Sequence, residues 1–221
     1  MQLAVSRSIS NSFGGDLHAD TTGFLLGPYL SYRMSPAWSV YGALGVGQQS
    51  NDTQVLSLSG TAKAMQYNLS LQAEGQYAMG AAYARPKIQL NHTYTAGNNY
   101  ELAGNILGTP VSINMRNDGF QVGAIQPTVE INRTYDLGNN KTVMPYVEAG
   151  FFYQYARPNS GQVLTSNLTS TDSTPWGGLV RAGARSLLGK TTMVKAEIGY
   201  QSLGIKDLSV WGLQLFLSHS F

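Results

Sequence analysis

The last eleven residues alternate with a period of two. Trp211, Leu213, Leu215, Leu217, His219 and Phe221 form one apolar-to-amphipathic face, against Gly212, Gln214, Phe216, Ser218 and Ser220. Successive side chains of a strand point to opposite sides, so the pattern predicts a strand with a different environment on each. The same alternation recurs upstream and predicts ten strands, at residues 2–13, 21–33, 38–53, 62–77, 81–94, 120–135, 142–155, 176–187, 192–202 and 209–221. Tight turns at 34–37, 78–80, 136–141 and 188–190 alternate with longer links at 14–20, 54–61, 95–119 and 157–175, and a shorter last one at 203–208. Part of 95–119 has the pattern to extend its flanking strands. Short turns at one end and long polar loops at the other are the pattern of a membrane barrel. An even strand number puts both chain ends at the turn side, and 209–221 is expected to pair with 2–13 to close the barrel.

The charges sharpen the choice of solvent. In 62–77, Met65, Tyr67, Leu69 and Leu71 oppose Gln66, Asn68, Ser70, Gln72 and Glu74; in 142–155, Val143, Pro145, Val147 and Phe151 oppose Tyr146, Glu148 and Phe152. Mid-strand charges nearly all share the polar face: Arg33, Glu74, Arg85, Lys87, Glu130, Glu148, Arg181, Arg185, Lys195 and Glu197. These are the candidate lumen-lining residues, because a charge on the lipid face costs about 2–4 kcal/mol at the midplane. A soluble sandwich also alternates, but turns its charges to water. Here the polar face carries mainly Gln, Asn, Ser, Thr and Gly, and Pro28, Pro86, Pro127 and Pro145 sit mid-strand on the apolar face, where a tightly bonded core resists them. Aromatics gather near the segment ends, Trp38, Tyr77 and Tyr135 by the turns and Phe24, Tyr155, Trp176 and Trp211 by the loops, as two interfacial girdles do. The expected fold is all-β: an antiparallel up-and-down transmembrane β-barrel of about ten strands, as one domain over 1–221.

Composition agrees. Only 12% of the 221 residues are charged, yet no apolar run approaches the 18 or more residues of a membrane helix. The net charge of +2 is too small to indicate a nucleic-acid partner. Absence of cysteine excludes a disulfide framework and thiolate metal sites, and suits passage through an oxidising periplasm. The first residues, Met1-Gln2-Leu3-Ala4-Val5-Ser6-Arg7, lack the apolar stretch and cleavage site of a signal peptide, so a mature form or a fragment is expected.

Several segments resemble the C-terminal translocator (β-domain) of autotransporters, the type V secretion proteins. Gly23-Phe24-Leu25-Leu26-Gly27-Pro28-Tyr29 matches the family's G-x-x-x-G-P-Y strand, and Trp38-Ser39-Val40 with Gly45-Val46-Gly47 its next strand. Arg85-Pro86-Lys87-Ile88, Gln126-Pro127-Thr128-Val129-Glu130 and Pro145-Tyr146-Val147-Glu148-Ala149-Gly150 are similar to its later proline-containing strands. The resemblance covers most of the chain from about residue 20. It implies a Gram-negative outer-membrane barrel, with loops extracellular and both termini periplasmic, that anchors and helps export an N-terminal passenger. The family's barrel has twelve strands and a helix inside the pore; residues 2–13 look like its third strand, so the first hairpin is expected to be missing. The chain is then either a fragment or a reduced barrel closing with ten strands. The final strand resembles that of outer-membrane barrels generally, which implies that Leu213, Leu215, Leu217, His219 and Phe221 form the signal read by the assembly machinery, with His219 where a tyrosine is usual. Implied partners are outer-membrane lipid and lipopolysaccharide, barrel-assembly machinery, periplasmic chaperones and a covalently linked passenger, with a monomeric barrel.

Catalysis finds little support. His18 with Asp16 and Asp20 is the one cluster of rim-protease type, and a solvated loop explains it more simply; His92 reads as an interfacial residue. No metal-ligand spacing occurs, no cofactor is expected, and Gly42–Gly47 lies within a strand, unlike a phosphate loop. The pairs Asn98-Asn99 and Asn139-Asn140 are turn material. The charges of the polar face are expected to fill a narrow barrel as a paired network. The competing readings are a stand-alone small barrel acting as a pore or as a surface adhesin through 95–119 and 157–175, and a lipid-modifying barrel enzyme without a convincing catalytic set.

Overall fold

The computed structural model describes residues 2–12, 16–116, 118–164, 170–189, 191–206 and 208–219. Its strands are β1 (Gln2–Ser12), β2 (Leu17–Gly27), β3 (Tyr29–Arg33), β4 (Trp38–Val55), β5 (Leu58–Gly75), β6 (Tyr77–Met79), β7 (Ala82–Thr95), β8 (Tyr100–Ile106), β9 (Thr109–Met115), β10 (Phe120–Asn132), β11 (Tyr135–Gly138), β12 (Lys141–Ala156), β13 (Gln162–Leu164), β14 (Ser170–Asp172), β15 (Trp176–Leu188), β16 (Thr192–Leu203) and β17 (Trp211–His219). One antiparallel wall runs β1-β2-β4-β5-β7-β10-β12-β15-β16-β17, the ten strands expected from the alternation. The short β3, β6 and β11 continue β2, β5 and β10 towards the turns. Pro28 separates β2 from β3, because proline has no N–H to give the ladder, while its carbonyl still accepts from Leu44 N at 3.1 Å.

Burial is inverted relative to a soluble domain. On β10 and β12, Glu130 and Glu148 are 1% and 2% exposed, whereas Val129 and Val147 on the opposite face are 48% and 54% exposed. Apolar side chains that face outward at mid-strand while carboxylates are buried need lipid as their solvent. On β12 the outward apolar run from Val143 to Tyr153 covers about 34 Å of strand, or about 26 Å of depth at a tilt of ~40°, close to the apolar band of an outer-membrane barrel. Aromatic contacts bracket it. Trp38 packs edge-on to Tyr77, its Nε1 donating to the hydroxyl at 2.7 Å, at the turn side; Tyr67 stacks on Tyr94, and Tyr153 packs against Trp176, at the loop side.

The long β4–β5 hairpin shows where the lipid ends. Each strand has 18 residues, about twice what a tilted spanning strand needs. Along β5 the inner face is polar from Gln66 to Glu74 but carries Leu58, Gly60, Ala62 and Ala64 beyond it, and the outer face changes from Met65, Tyr67 and Leu71 to Ser59, Thr61 and Lys63. The two faces exchange chemistry between residues 64 and 66. Beyond that level water lies outside, and Leu58, Ala62, Ala64 and Leu102 of β8 are buried together as in a soluble protein. On the outer face of β1, β2, β4 and β5 the charges Arg7, Asp20, Asp52 and Lys63 all belong to this outer zone. Asp20 accepts from Arg7 Nε at 3.1 Å and Nη2 at 2.6 Å, and this hydrogen bonding holds its carboxyl below the usual carboxylate range.

Four expectations are corrected here. Residues 54–61 are not a long loop: Val55 pairs Leu58 across a two-residue turn. Link 95–119 is largely the β8–β9 hairpin, which pairs with β5 at Leu58 and Ser59, because the apolar inner side of the β5 extension needs a cover. Link 157–175 holds a short helical turn at Pro158–Gly161 and the β13–β14 pair. The expected closure of 209–221 onto 2–13 is also absent: among the described residues β1 and β17 are the two edges of the wall, joined by no ladder. Closure requires strand number, stagger and tilt to agree, and the described wall curls without bringing its edges into register.

Candidate functional site: the charged inner wall

The polar face gathers its charges on one side. The inner positions of β1, β2 and β4 are mostly Ser, Thr, Gly, Ala, Gln and Asn, whereas β5, β7, β10, β12, β15 and β16 carry four carboxylates and five cations. Each side chain arrives there by strand parity. The register sets Glu74 beside Lys87, Arg85 beside Glu130, Glu130 beside Glu148, Glu148 beside Arg181, and Arg185 beside Lys195. Two acids therefore lie directly opposite each other on β10 and β12, an arrangement that repels unless cations intervene.

The cations do so by reaching past neighbouring strands. Arg185 of β15 crosses β12 and grips Glu130 of β10 with both terminal nitrogens, at 2.8 and 2.6 Å. Lys87 of β7 crosses β10 to reach Glu148 of β12 at 3.1 Å, and Arg181 approaches the other oxygen of Glu148 at 3.4 Å. Arg85 bonds Glu74 and lies 3.5 Å from Glu130. The remaining acceptor capacity is taken by neutral donors: Thr128 Oγ1 donates to Glu148 at 2.6 Å and Asn132 Nδ2 to Glu130 at 2.9 Å. Lys195 pairs with Glu197 at 3.0 Å and donates to Gln214 of β17 at 3.0 Å. Buried carboxylates with complete hydrogen bonding and cations on two sides are the condition under which burying them is tolerable.

Tyr146 is the member that sequence reasoning missed. Its hydroxyl donates to Glu197 of β16 at 2.6 Å across β15, and Arg185 stacks over its ring at 4.2 Å from the centroid. The signal was present, since an aromatic sits on the polar parity of β12 between Met144 and Glu148. Gly183 makes the reach possible: a Cβ there would lie 2.7 Å from the Tyr146 hydroxyl oxygen. Gly183→Ala is expected to displace Tyr146 from Glu197 and lower stability by about 1–3 kcal/mol. Denaturant unfolding followed by tryptophan fluorescence reads this, and an unchanged midpoint refutes the role given to Gly183.

Nine of the ten candidate charges thus meet on the inner wall. Arg33 does not join them. It lies at the turn end of β3, where Nε donates to Ser35 O at 3.3 Å and Nη2 to Pro36 O at 3.0 Å. On β17, Leu213, Leu215 and Leu217 stand opposite Ile198, Ala196 and Val194 on the outer face, and His219 opposite Thr192. Phe221, the end of the expected assembly signal, lies outside the described residues. His18 Nδ1 is 2.6 Å from Asn11 Oδ1 in the outer zone, and His92 stacks on Tyr155 at 5.8 Å. Among the described residues no group of acids and histidines has metal-binding geometry.

The wall has relatives. The autotransporter β-domain family matches residues 2–199. Among solved structures, the translocator domain of autotransporter NalP from Neisseria meningitidis is similar with a TM-score of 0.60 at 12% identity, over 93% of this chain and 68% of that one. The β-domain of the Bordetella autotransporter BrkA aligns at 15% identity over 99% of this chain and 96% of that one, with a TM-score of 0.33. No curated protein sequence matches. An antiparallel wall with lipid-facing apolar side chains, a buried charged interior and this family match over residues 2–199 together place the chain in the autotransporter β-domain family, a family of the outer membrane and of type V secretion.

Proposed function

We propose that this domain anchors, and helps export, a passenger joined to its N-terminal side. The observation that carries the reading is the buried, ion-paired inner wall behind an apolar outer surface, which gives a polar lining at the depth of the lipid. Gln2 stands opposite Gly27, with Pro28 and β3 between its level and the tight turn at 34–37, whereas His219, opposite Thr192, lies at the tight-turn end. We place that end in the periplasm and the β4–β5 and β8–β9 hairpins outside the cell. The partners that suit these surfaces are lipid and lipopolysaccharide around the outer face, the assembly machinery and periplasmic chaperones for the C-terminal residues Leu213, Leu215, Leu217, His219 and Phe221, and the passenger itself; the barrel acts as a monomer. The nine inner-wall charges, with Arg33 at its turn end, then line the passenger's route.

The test is an epitope placed N-terminal to Gln2 in the secreted full-length chain. Protease added to intact cells is expected to remove the epitope while the barrel remains; an epitope protected in the periplasm behind an inserted barrel refutes export. A stand-alone pore or surface adhesin is the competing reading, favoured by the ordered β8–β9 hairpin.

A further inference from the structure

The inner wall has more cation than its carboxylates use, and the surplus opens into a cavity. A cavity of about 520 Å³ is lined by side chains of β5, β7, β12, β15, β16 and β17. Four of its charged lining groups are cations, Lys87, Arg181, Arg185 and Lys195, against two carboxylates, Glu148 and Glu197. The donors are also unequally engaged. Arg185 is bound on both terminal nitrogens, whereas among the described residues Arg181 makes a single hydrogen bond, the 3.4 Å contact to Glu148. A guanidinium has five N–H donors in a planar fork, so most of those of Arg181 are uncommitted among the described residues. Gly199 makes room for its stem: a Cβ there would lie 2.9 Å from Arg181 Cγ, so the arginine stem packs against the β16 backbone at Gly199. The amides of Gln72, Gln89, Gln201 and Gln214 complete a lining that is mainly polar, with Leu213 its one large apolar side chain.

We propose that this cavity is an oxyanion-binding site, with Arg181 and Lys195 as its principal ligands. A planar fork with uncommitted N–H groups in the same cavity as an ammonium suits a carboxylate, phosphate or sulfonate, and a lining with four cations against two carboxylates raises the local anion concentration. The oxyanion is supplied either as a side-chain carboxylate of a polypeptide lying along the wall or as a small free anion. The site stands whether or not a passenger is exported, so the epitope experiment and the one below fail independently.

The probe is pyranine, a fluorescent trisulfonate, titrated by anisotropy against the folded domain in neutral detergent at fixed low salt. Saturable binding is expected, weakened roughly tenfold or more in Arg181→Gln and in Lys195→Gln, and largely kept in Arg181→Lys. Gly199→Ala, which redirects Arg181 without removing charge, is expected to weaken it too. Lys63→Gln, which removes one positive charge from the outer zone, is the control. Citrate and a hexaglutamate peptide serve as competitors: displacement by citrate alone assigns the site to small anions, and stronger displacement by the peptide assigns it to a polypeptide carboxylate. Equal affinity in the wild type and both glutamine variants overturns the site, as does failure of both competitors or an equal loss in Lys63→Gln. Heat-modifiable migration establishes that each variant is folded, and a glutamine variant that fails to fold leaves the other and Gly199→Ala to decide.

Discussion

Replacing Glu130 with alanine is expected to lower the unfolding free energy of the domain by about 3 kcal/mol, the lower end of the range for removing one partner of a buried pair. Glu130 is 1% exposed and holds Arg185 through two bonds, and its loss also strips Arg85 and Asn132 of an acceptor. The lower end applies because the side chains of Arg185 and Arg85 remain 21% and 24% exposed, so water recovers part of the loss. Urea unfolding in lipid vesicles measures the change. The double variant Glu130→Leu with Arg185→Met separates pairing from packing: it should be clearly more stable than the sum of the single changes, because neither partner is left charged and alone. Additive losses would falsify the pairing as the source of the effect.

Arginine at Val147 is the second large effect. Val147 faces outward near the middle of the apolar run on β12, and a charge at that depth is expected to cost about 2–4 kcal/mol and to reduce the heat-modifiable folded band. The matched substitution is Thr61→Arg on β5. Thr61 also faces outward, beside Asp52, to which its hydroxyl donates at 2.5 Å, but beyond the level where the faces exchange. There the arginine meets water and an acid, and the expected change is within about 0.5 kcal/mol. Equal losses at both positions would move the membrane boundary outward and remove the reason for the change of face at residues 64–66.

The strands and their two faces were legible because parity acts on each strand alone. Glu130 and Val129 follow from their positions in the chain, and so do the outward leucines of β17. The network was legible only as a set of candidates. That Arg185 would grip Glu130 two strands away, or that Tyr146 would pass over Gly183 to Glu197, depends on register and curl, which no single segment contains. Link 54–61 was misread for a local reason: Leu56, with φ of 54°, sits in a tight turn without the usual Gly or Asn, so the turn carries no compositional mark. At Asn139 and Asn140, both at positive φ, the mark was present and the turn was read correctly.

The sequence by itself determined an all-β chain in which a period-two pattern, a low charge content and charges confined to one parity require lipid outside and polar groups inside. The family's motifs lay in the same strands. The tertiary structure decided which charges meet, because side chains of next-but-one strands touch only on a curled wall. It also decided where the membrane ends, because the β8–β9 hairpin buries the inner side of β5 that lipid depth would leave polar. The edges of β1 and β17, unjoined in the described wall, belong to this second group: alternation assigns each strand its faces, but whether two edges meet is set by the stagger and tilt accumulated over all the strands between them.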